Sequence, residues 1–398
     1  MGYGDNMIYY ITLLLLLFFS IFDLADKNDR HIKILRQYLY LVAMLILIFF
    51  AGLRFDTGWD YKGYHFYYDL MPTIYQLASS SEAFNSIYFE PGFKLLMSIA
   101  KTCGLSFYAF QFLVSIICIF LLGKAIKGER NKLLFIFIYF STCYLFLNMS
   151  VIRQGIAVVF LYMAVMSLFN KNKKVAIFYL AIGSLFHLSL IIMIPVVIFI
   201  DKKSISNRIF YLSVLISIFV YILQVSWLKS VFDIFSPILP HGLSYKIVSY
   251  LDSDRFGRSR DIGLGVVEKI VTFITLFYIY KKDNSERNLI LLRFFIFYMV
   301  TYFAFYEITI LYDRLRLYFV AINVFVYVSI FSFFSGANKI LIFSIIILYS
   351  IFSYVNVFRS DPNKLVFMPY NSILDNENAI PSEFKGDLRI DRAIDMDH

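Results

Sequence analysis

Charged side chains stand beside long apolar runs in this sequence, where their types and spacing could do chemistry. Residues 52–64, GLRFDTGWDYKGY, follow one such run and contain Arg54 and Asp60. Ionisable groups near hydrocarbon are costly and usually face a polar cavity. Such a site could bind an anion through the arginine and accept a proton on the carboxylate. An interfacial Arg–Asp anchor at a helix end is the alternative.

The same segment carries three aromatic side chains, Trp59, Tyr61 and Tyr64. Amphipathic rings can stack on sugar rings, and they also favour membrane interfaces. The segment therefore predicts either one wall of a binding site or part of an interfacial belt.

Two further segments combine an ionisable residue with a helix start. Glu90 precedes Pro91 and Gly92, which is typical of a helix N-terminus, so its carboxylate could belong to the cap or act as a base. Arg153 and Gln154 fall at the turn between two apolar runs. Because the helix dipole favours anions at an N-terminus, an arginine placed there indicates an anion-binding site rather than a cap.

A histidine and two arginines complete the candidates. His187 lies in a turn with almost no other polar residue, where it could act as a general base, bind a headgroup or simply pack. Arg314 and Arg316 lead into an apolar run. Their planar guanidinium groups could clamp a phosphate, or they could extend to the membrane interface as helix anchors.

No motif for metal, nucleotide or cofactor chemistry accompanies these candidates. The sequence has no P-loop, no GxSxG, no HExxH and no Cys/His metal spacing. The DxD triplets at 252–254 and 395–397 match a pattern that is common by chance. Three cysteines without CxxC spacing predict no disulfide. We therefore expect neither a metal ion nor a cofactor.

The composition indicates what must position these residues. Of the 398 residues, 60% are hydrophobic and 16% are charged, whereas soluble domains carry roughly 25% charged residues. Apolar runs that approach the roughly 20 residues of a membrane span recur along the chain. This composition excludes a soluble enzyme, a secreted disulfide scaffold and a disordered chain. It predicts an all-α, polytopic integral membrane protein with about twelve transmembrane helices.

Residues 91–102 are too short to span a bilayer, so they predict a re-entrant or interfacial helix in the first large outer loop. We expect a single transmembrane helical domain over residues 1–354. Its outer loops 54–104 and 226–263 would form the side that holds the site. Residues 355–398 are expected to form a polar C-terminal tail on the outer side.

The distribution of charge predicts the orientation in the membrane. With the first residue outside, the loops assigned to the cytoplasm hold 19 Lys and Arg against 7 Asp and Glu. Cytoplasmic loops of membrane proteins carry such an excess of Lys and Arg. The net charge of +9 is therefore a sign of topology, and we expect no nucleic-acid partner. In this orientation every candidate residue faces outside.

The order of the motifs resembles the EpsG family of membrane proteins, related to the Wzy-type O-antigen and exopolysaccharide polymerases. The resemblance is strongest within residues 7–200, where four motifs follow one another in the order GLRFDTGWDYKGY, EPGF, RQGIA and FHLS. DRLRLYF at 313–319 and the pair Pro369-Tyr370 are similar to the family's second half. Trp59 stands where a small residue is expected, which is a modest departure.

The residues that fall on the four family motifs, in order, are Gly52, Arg54, Gly58, Asp60, Tyr61 and Tyr64, then Glu90, Pro91 and Gly92, then Arg153 and Gln154, then His187.

The resemblance implies a glycosyltransferase that joins undecaprenyl-diphosphate-linked oligosaccharide repeat units on the outer face of the bacterial inner membrane. Its product would be O-antigen, capsule or exopolysaccharide. The lipid bilayer, a chain-length regulator and a flippase of the same pathway would be its partners. A flippase of lipid-linked sugars, a glycan ligase and a structural membrane protein are the alternatives.

The resemblance also implies roles for the candidate residues. The charge that grows on the leaving diphosphate needs cations, which arginines can supply without metal. The acceptor hydroxyl needs a base, for which Asp60 is the first choice and His187 the second, ahead of Glu90. The alternative is a dissociative mechanism, in which a carboxylate mainly stabilises an oxocarbenium-like state. The expected diphosphate ligands are Arg54, Arg153, Arg314 and Arg316, and the expected sugar-positioning residues are Trp59, Tyr61, Tyr64 and Gln154.

Overall fold

The computed structural model describes residues 4–25, 29–77, 81–201, 206–225, 227–235, 264–306, 309–375 and 386–397. They divide into two compact units: Met1–Ile191 with Phe331–Asp397, and Ile192–Ile330. The division into a domain over residues 1–354 and a C-terminal tail stays a prediction.

Nine helices come first among the described residues of the first unit: α1 (Gly4–Ile21), α2 (Arg30–Gly52), α3 (Tyr61–Leu70), α4 (Ser81–Ser86), α5 (Pro91–Thr102), α6 (Phe107–Ala125), α7 (Lys132–Tyr139), α8 (Ile152–Phe169) and α9 (Lys173–Ser184). α7 continues directly as a π-helix over Phe140–Ser150. Short 3₁₀ turns cover Ile74–Gln76 and Leu188–Ile192.

The helix starts follow local sequence signals. Asp29 caps α2 by accepting the backbone N–H groups of His31 and Ile32, and Ser106 caps α6 in the same way. Pro91 opens α5, where its missing N–H costs nothing. This helix occupies residues 91–102, as the sequence predicts, and its place relative to the membrane stays a prediction.

The second unit contains α10 (Met193–Asp201), α11 (Asn207–Ile222), α12 (Trp227–Phe235), α13 (Leu264–Lys282), α14 (Glu286–Ala304) and most of α15 (Thr309–Phe333). Its interior holds an ion pair on α13. Lys269 is 4% exposed, and its Nζ lies 3.1 Å from Oε2 of Glu268. Tyr327 donates to the other oxygen of Glu268 at 2.6 Å. The ammonium group of Lys269 also lies 4.1 Å from the centre of the Tyr302 ring.

After α15 the chain returns to the first unit through α16 (Gly336–Val357), α17 (Asp361–Phe367) and α18 (Gly386–Asp397). Residues 361–397 are called the tail segment below. Between α17 and α18, strand β2 (Asn371–Ser372) pairs antiparallel with β1 (Arg54–Phe55). The register places Arg54 opposite Ser372, so the tail segment touches the loop that follows α2.

Seven helices in the described part of the chain are long and apolar enough to cross a membrane, judged by length and composition. Three shorter apolar helices accompany them. The all-α class and the membrane character are therefore confirmed, whereas the count of about twelve spans is not. The seven candidate spans are Arg30–Gly52, Phe107–Ala125, Lys132–Ser150, Ile152–Phe169, Glu286–Ala304, Leu315–Phe333 and Gly336–Val357.

Candidate active site

Arg54 lies directly after α2 with a side chain that is 1% exposed. Its Nε donates to the carbonyl of Thr57 at 3.2 Å, and a terminal nitrogen donates to the carbonyl of Ala51. The last carbonyls of a helix have no partner within it, and a cation there interacts favourably with the helix dipole. Burial lowers the pKa of Arg54 from its usual value. This geometry favours a helix anchor, and the role in binding diphosphate stays a prediction.

Other side chains complete the end of α2. Gln111 donates from Nε2 to the carbonyls of Gly52, at 3.2 Å, and Arg54, at 2.8 Å. Tyr370, from the tail segment, donates to the carbonyl of Phe50 at 2.9 Å. These carbonyls accept hydrogen bonds from side chains of distant elements. The end of α2, from which the loop that carries Asp60 begins, is therefore held in place.

One chain of hydrogen bonds joins the first three sequence motifs. The hydroxyl of Tyr64 donates to Oδ2 of Asp60 at 3.1 Å, across the first turn of α3. Nε of Arg153 donates to the same hydroxyl at the long distance of 3.5 Å. A terminal nitrogen of Arg153 donates to Oε2 of Glu90 at 2.6 Å, which is a short, charge-assisted bond. We call these four residues the Asp60–Glu90 chain.

Glu90 also connects this chain to the fourth motif. Its Oε1 accepts the backbone N–H of Leu188 at 3.1 Å, next to His187. Gly92 donates its N–H to the carbonyl of Leu185 at 2.8 Å, so the start of α5 contacts the same turn twice. The Glu90 side chain makes no capping bond to its own helix. Since both of its oxygens accept hydrogen bonds, it is better suited to orient Arg153 than to act as a base.

The electrostatic surroundings fix the direction of the hydrogen bonds. The side chains of Arg153 and Glu90 are 13% and 16% exposed, and the guanidinium lies 4.4 Å from the centre of the Phe89 ring. Burial raises the pKa of the Tyr64 phenol, and the charge of Asp60 raises it further. Tyr64 therefore stays protonated near neutral pH and donates to the carboxylate.

The position of Arg153 depends on the break between the π-helix and α8. Gly58 has a φ of +115°, and a Cβ there would lie 1.9 Å from the carbonyl oxygen of Met149. Only glycine fits this approach. The backbone N–H of Trp59 donates to Oγ of Ser150 at 3.2 Å. The loop after α2 is thereby held against the end of the π-helix, three residues before Arg153.

The remaining candidates of the first unit lie close to these motifs in the chain but outside the hydrogen-bonded chain. His187 is 7% exposed, and its Nδ1 lies 2.7 Å from Oγ of Ser189. Gln154 is 2% exposed in the first turn of α8. Tyr61 is 2% exposed and packs edge-on against Phe107, with ring centres 5.4 Å apart.

Arg314 and Arg316 lie on α15, in the second unit. Nε of Arg316 lies 3.7 Å from Oδ1 of Asp313, and its guanidinium is 6.0 Å from the centre of the Tyr312 ring. The side chain of Arg314 falls outside the described part of the structure. The phosphate clamp formed by these two arginines therefore stays a prediction.

Arg389 in the tail segment supports the site, although the sequence gives no local sign of it. Its side chain is 1% exposed and donates to the carbonyls of Pro369, at 2.7 Å, and Asp56, at 2.6 Å. Nε1 of Trp59 donates to Oδ1 of Asn363 at 3.0 Å. Neither Asn363 nor Arg389 lies in a motif, so only the folded chain reveals that they hold the loop between β1 and α3.

The arrangement provides two groups with distinct chemistry. Arg153 is a partly exposed cation that Glu90 holds in place, and it can stabilise negative charge that develops nearby. Asp60 is a carboxylate at the other end of the chain and can accept a proton. Among the residues that the structure describes, no group of three or more His, Cys, Asp and Glu could hold a metal ion.

Comparison with known proteins completes this description. The model of the EpsG family matches residues 37–372, a range that contains all four motifs and both strands. No curated protein and no solved structure matches the chain. Because the family match covers well over half of the sequence, the chain belongs to the EpsG family, a family of Wzy-type polymerases involved in exopolysaccharide biosynthesis.

Proposed function

We propose that the protein is a glycosyltransferase that polymerises undecaprenyl-diphosphate-linked oligosaccharide repeat units on the outer face of the bacterial inner membrane. The observation that carries the proposal is the Asp60–Glu90 chain. It connects residues of three motifs that lie far apart in the sequence, and it places the Asp60 carboxylate and the Arg153 cation in one hydrogen-bonded chain. Family membership supplies the class of reaction.

In this reaction the acceptor hydroxyl attacks the anomeric carbon of the donor glycan. The bond from that carbon to the diphosphate oxygen breaks, and undecaprenyl diphosphate leaves with the bonding electrons. Asp60 takes the proton of the hydroxyl, and His187 is the second candidate for this step. Arg153 stabilises the charge on the diphosphate. Its described hydrogen bonds use Nε and one terminal nitrogen, and the other terminal nitrogen can donate to an oxyanion.

The surroundings of Arg54 and Arg153 support different roles for these two arginines. Arg54 is 1% exposed and bonds to backbone carbonyls, so we assign it to positioning the loop that carries Asp60. Arg153 is partly exposed and bonds to side chains of two other motifs. We therefore propose that Arg153 is the first-unit arginine that binds diphosphate.

The test is the length distribution of the surface glycan in a strain whose only copy carries Arg153→Lys. Lysine keeps the charge but loses the planar, two-pronged donor geometry. We expect single repeat units, while protein remains in the membrane. Arg359→Lys is the matched control, since it changes an exposed arginine of the same unit, and should give normal chains.

A deletion strain separates the alternatives. Single capped repeats support a polymerase, whereas loss of all repeats indicates a flippase and long unattached chains indicate a ligase. Normal chain lengths with Arg153→Lys would show that diphosphate recognition does not require a guanidinium group at this position.

A further inference from the structure

A cavity of about 230 Å³ opens in the first unit between the starts of α2 and α7. The residues that line it are Asp23, Lys33, Arg36, Gln37, Tyr40, Glu129, Arg130, Lys132 and Leu133. α2 has 23 residues, and at 1.5 Å per residue its two ends lie roughly 35 Å apart. The cavity is therefore far from the candidate active site at the Gly52 end of that helix.

The acidic residues of the cavity do not cancel its cations. Asp23 is fully buried, forms an ion pair with Arg36 and accepts the backbone N–H of Leu134 at 2.9 Å. Arg36 also donates to the carbonyl of Arg130 at 2.6 Å, and its buried Nε has no partner among the described atoms. Glu129 is the second acid, and it is 7% exposed.

The other cations lie where a ligand could reach them. Lys33 and Arg130 are exposed at the rim of the cavity. Nζ of Lys132 lies 5.1 Å from the centre of the Tyr40 ring. Four cations against two acids give the lining a net charge of +2. The cavity therefore suits a small anionic group such as a phosphate ester.

The surface beside the cavity is apolar. Ile34, Tyr38, Leu41 and Leu45 form one exposed stripe along α2, with exposures of 41%, 65%, 57% and 52%. The spacing of three or four residues places them on one face of the helix. This face adjoins the face that presents Lys33, Gln37 and Tyr40 to the cavity. Hydrocarbon chains could lie along the stripe while the charged group enters the cavity.

We propose that this cavity binds the phosphate headgroup of an anionic phospholipid, with its acyl chains along the α2 stripe. Basic pockets between membrane helices are suited to such headgroups, and the charge distribution assigns this end of α2 to the cytoplasmic leaflet. The apolar stripe favours a lipid over a free anion. The inference is independent of the reaction proposed for the other end of the helix.

The test measures binding of short-chain phosphatidylglycerol to the full-length protein in nonionic detergent. Phosphatidylcholine tests a lipid that has no net charge. Inorganic phosphate tests an anion that has no acyl chains. We expect phosphatidylglycerol to bind at least tenfold more tightly than either. Each Lys or Arg near an anionic lipid contributes about fivefold in affinity, so Lys33→Gln/Arg130→Gln should weaken binding by roughly 30-fold.

The control is Lys171→Gln/Lys174→Gln, which removes two charges outside the cavity, just before α9 and in its first turn, at residues that the charge distribution assigns to the same membrane side. Its affinity should change by less than about twofold. Both cavity changes are at exposed side chains, and the Arg130 carbonyl that Arg36 uses remains. If the double variant is misfolded, Lys33→Gln alone should still weaken binding about fivefold. Equal losses in both double variants, equal binding of phosphatidylcholine, or equally tight binding of inorganic phosphate would each overturn the proposal.

Discussion

Glu90→Gln and Arg153→Met, made singly and together, separate a structural role of this ion pair from a role in substrate binding. The two side chains are 16% and 13% exposed and lie 2.6 Å apart. Removing one partner of such a pair leaves the other charge buried without compensation, which costs about 3–5 kcal/mol. Glu90→Gln should fall at the lower end, because the amide oxygen can still accept the N–H of Leu188.

The double variant leaves neither charge uncompensated. Methionine can still pack against the Phe89 ring that the guanidinium covers at 4.4 Å. We therefore expect the double variant to be at least 2 kcal/mol more stable than the sum of the two single losses predicts. Thermal or denaturant unfolding of the purified protein in detergent gives the change in the free energy of unfolding for each single variant and for the double variant.

Glycan length then distinguishes the roles. If Arg153 binds diphosphate, the double variant recovers stability but still makes only single repeats. Recovery of both stability and long chains would show that Arg153 only holds the fold together. Strictly additive losses of stability would refute the ion pair itself, since residues that do not interact show no coupling.

Three further predictions concern single positions. Asp60→Asn keeps the size and hydrogen-bonding reach of the side chain but cannot take the acceptor's proton. Polymerisation by the purified enzyme should therefore fall by roughly 10²–10⁴-fold. A fully active variant would assign the role of base to another residue. Gly58→Ala should reduce the amount of folded protein strongly, because its Cβ would lie 1.9 Å from a backbone carbonyl oxygen, whereas Gly63→Ala, with nothing within 4 Å, should be tolerated. Glu268→Gln should destabilise the protein by about 3 kcal/mol in a thermal or denaturant assay, because Lys269 loses its buried partner; an unchanged midpoint would contradict this.

Sequence patterns predicted the membrane class and the bounds of α5 because both depend on local signals. Long apolar runs require a hydrocarbon environment, and Pro91 can open a helix but not continue one. The π-helix over Phe140–Ser150 was not predicted. An apolar run has the same composition whether its hydrogen bonds link residues four or five positions apart.

The predicted site residues show the same limit. The order of the motifs suggested that Asp60, Glu90 and Arg153 share one face, and the structure joins these three through Tyr64. Spacing could not show that Arg54 binds backbone carbonyls, those of Ala51 in the preceding helix and Thr57 in the following loop, because Arg54 and Arg153 both follow apolar runs. The support from Arg389 depends on a contact across 333 positions, which no local pattern encodes.

That long-range contact has a consequence for the synthesis of the protein. A ribosome adds roughly 5–20 residues per second, so Asp56 enters the nascent chain roughly 15–70 s before Arg389 can reach its carbonyl. During that interval β1 has no partner strand, and the loop that leads to Asp60 lacks the hydrogen bond from Arg389 to the Asp56 carbonyl. The loop between β1 and α3 therefore gains these contacts late, although its own residues are made early. A nascent chain would therefore complete the contacts of this loop only after residues 57–388 have been synthesised.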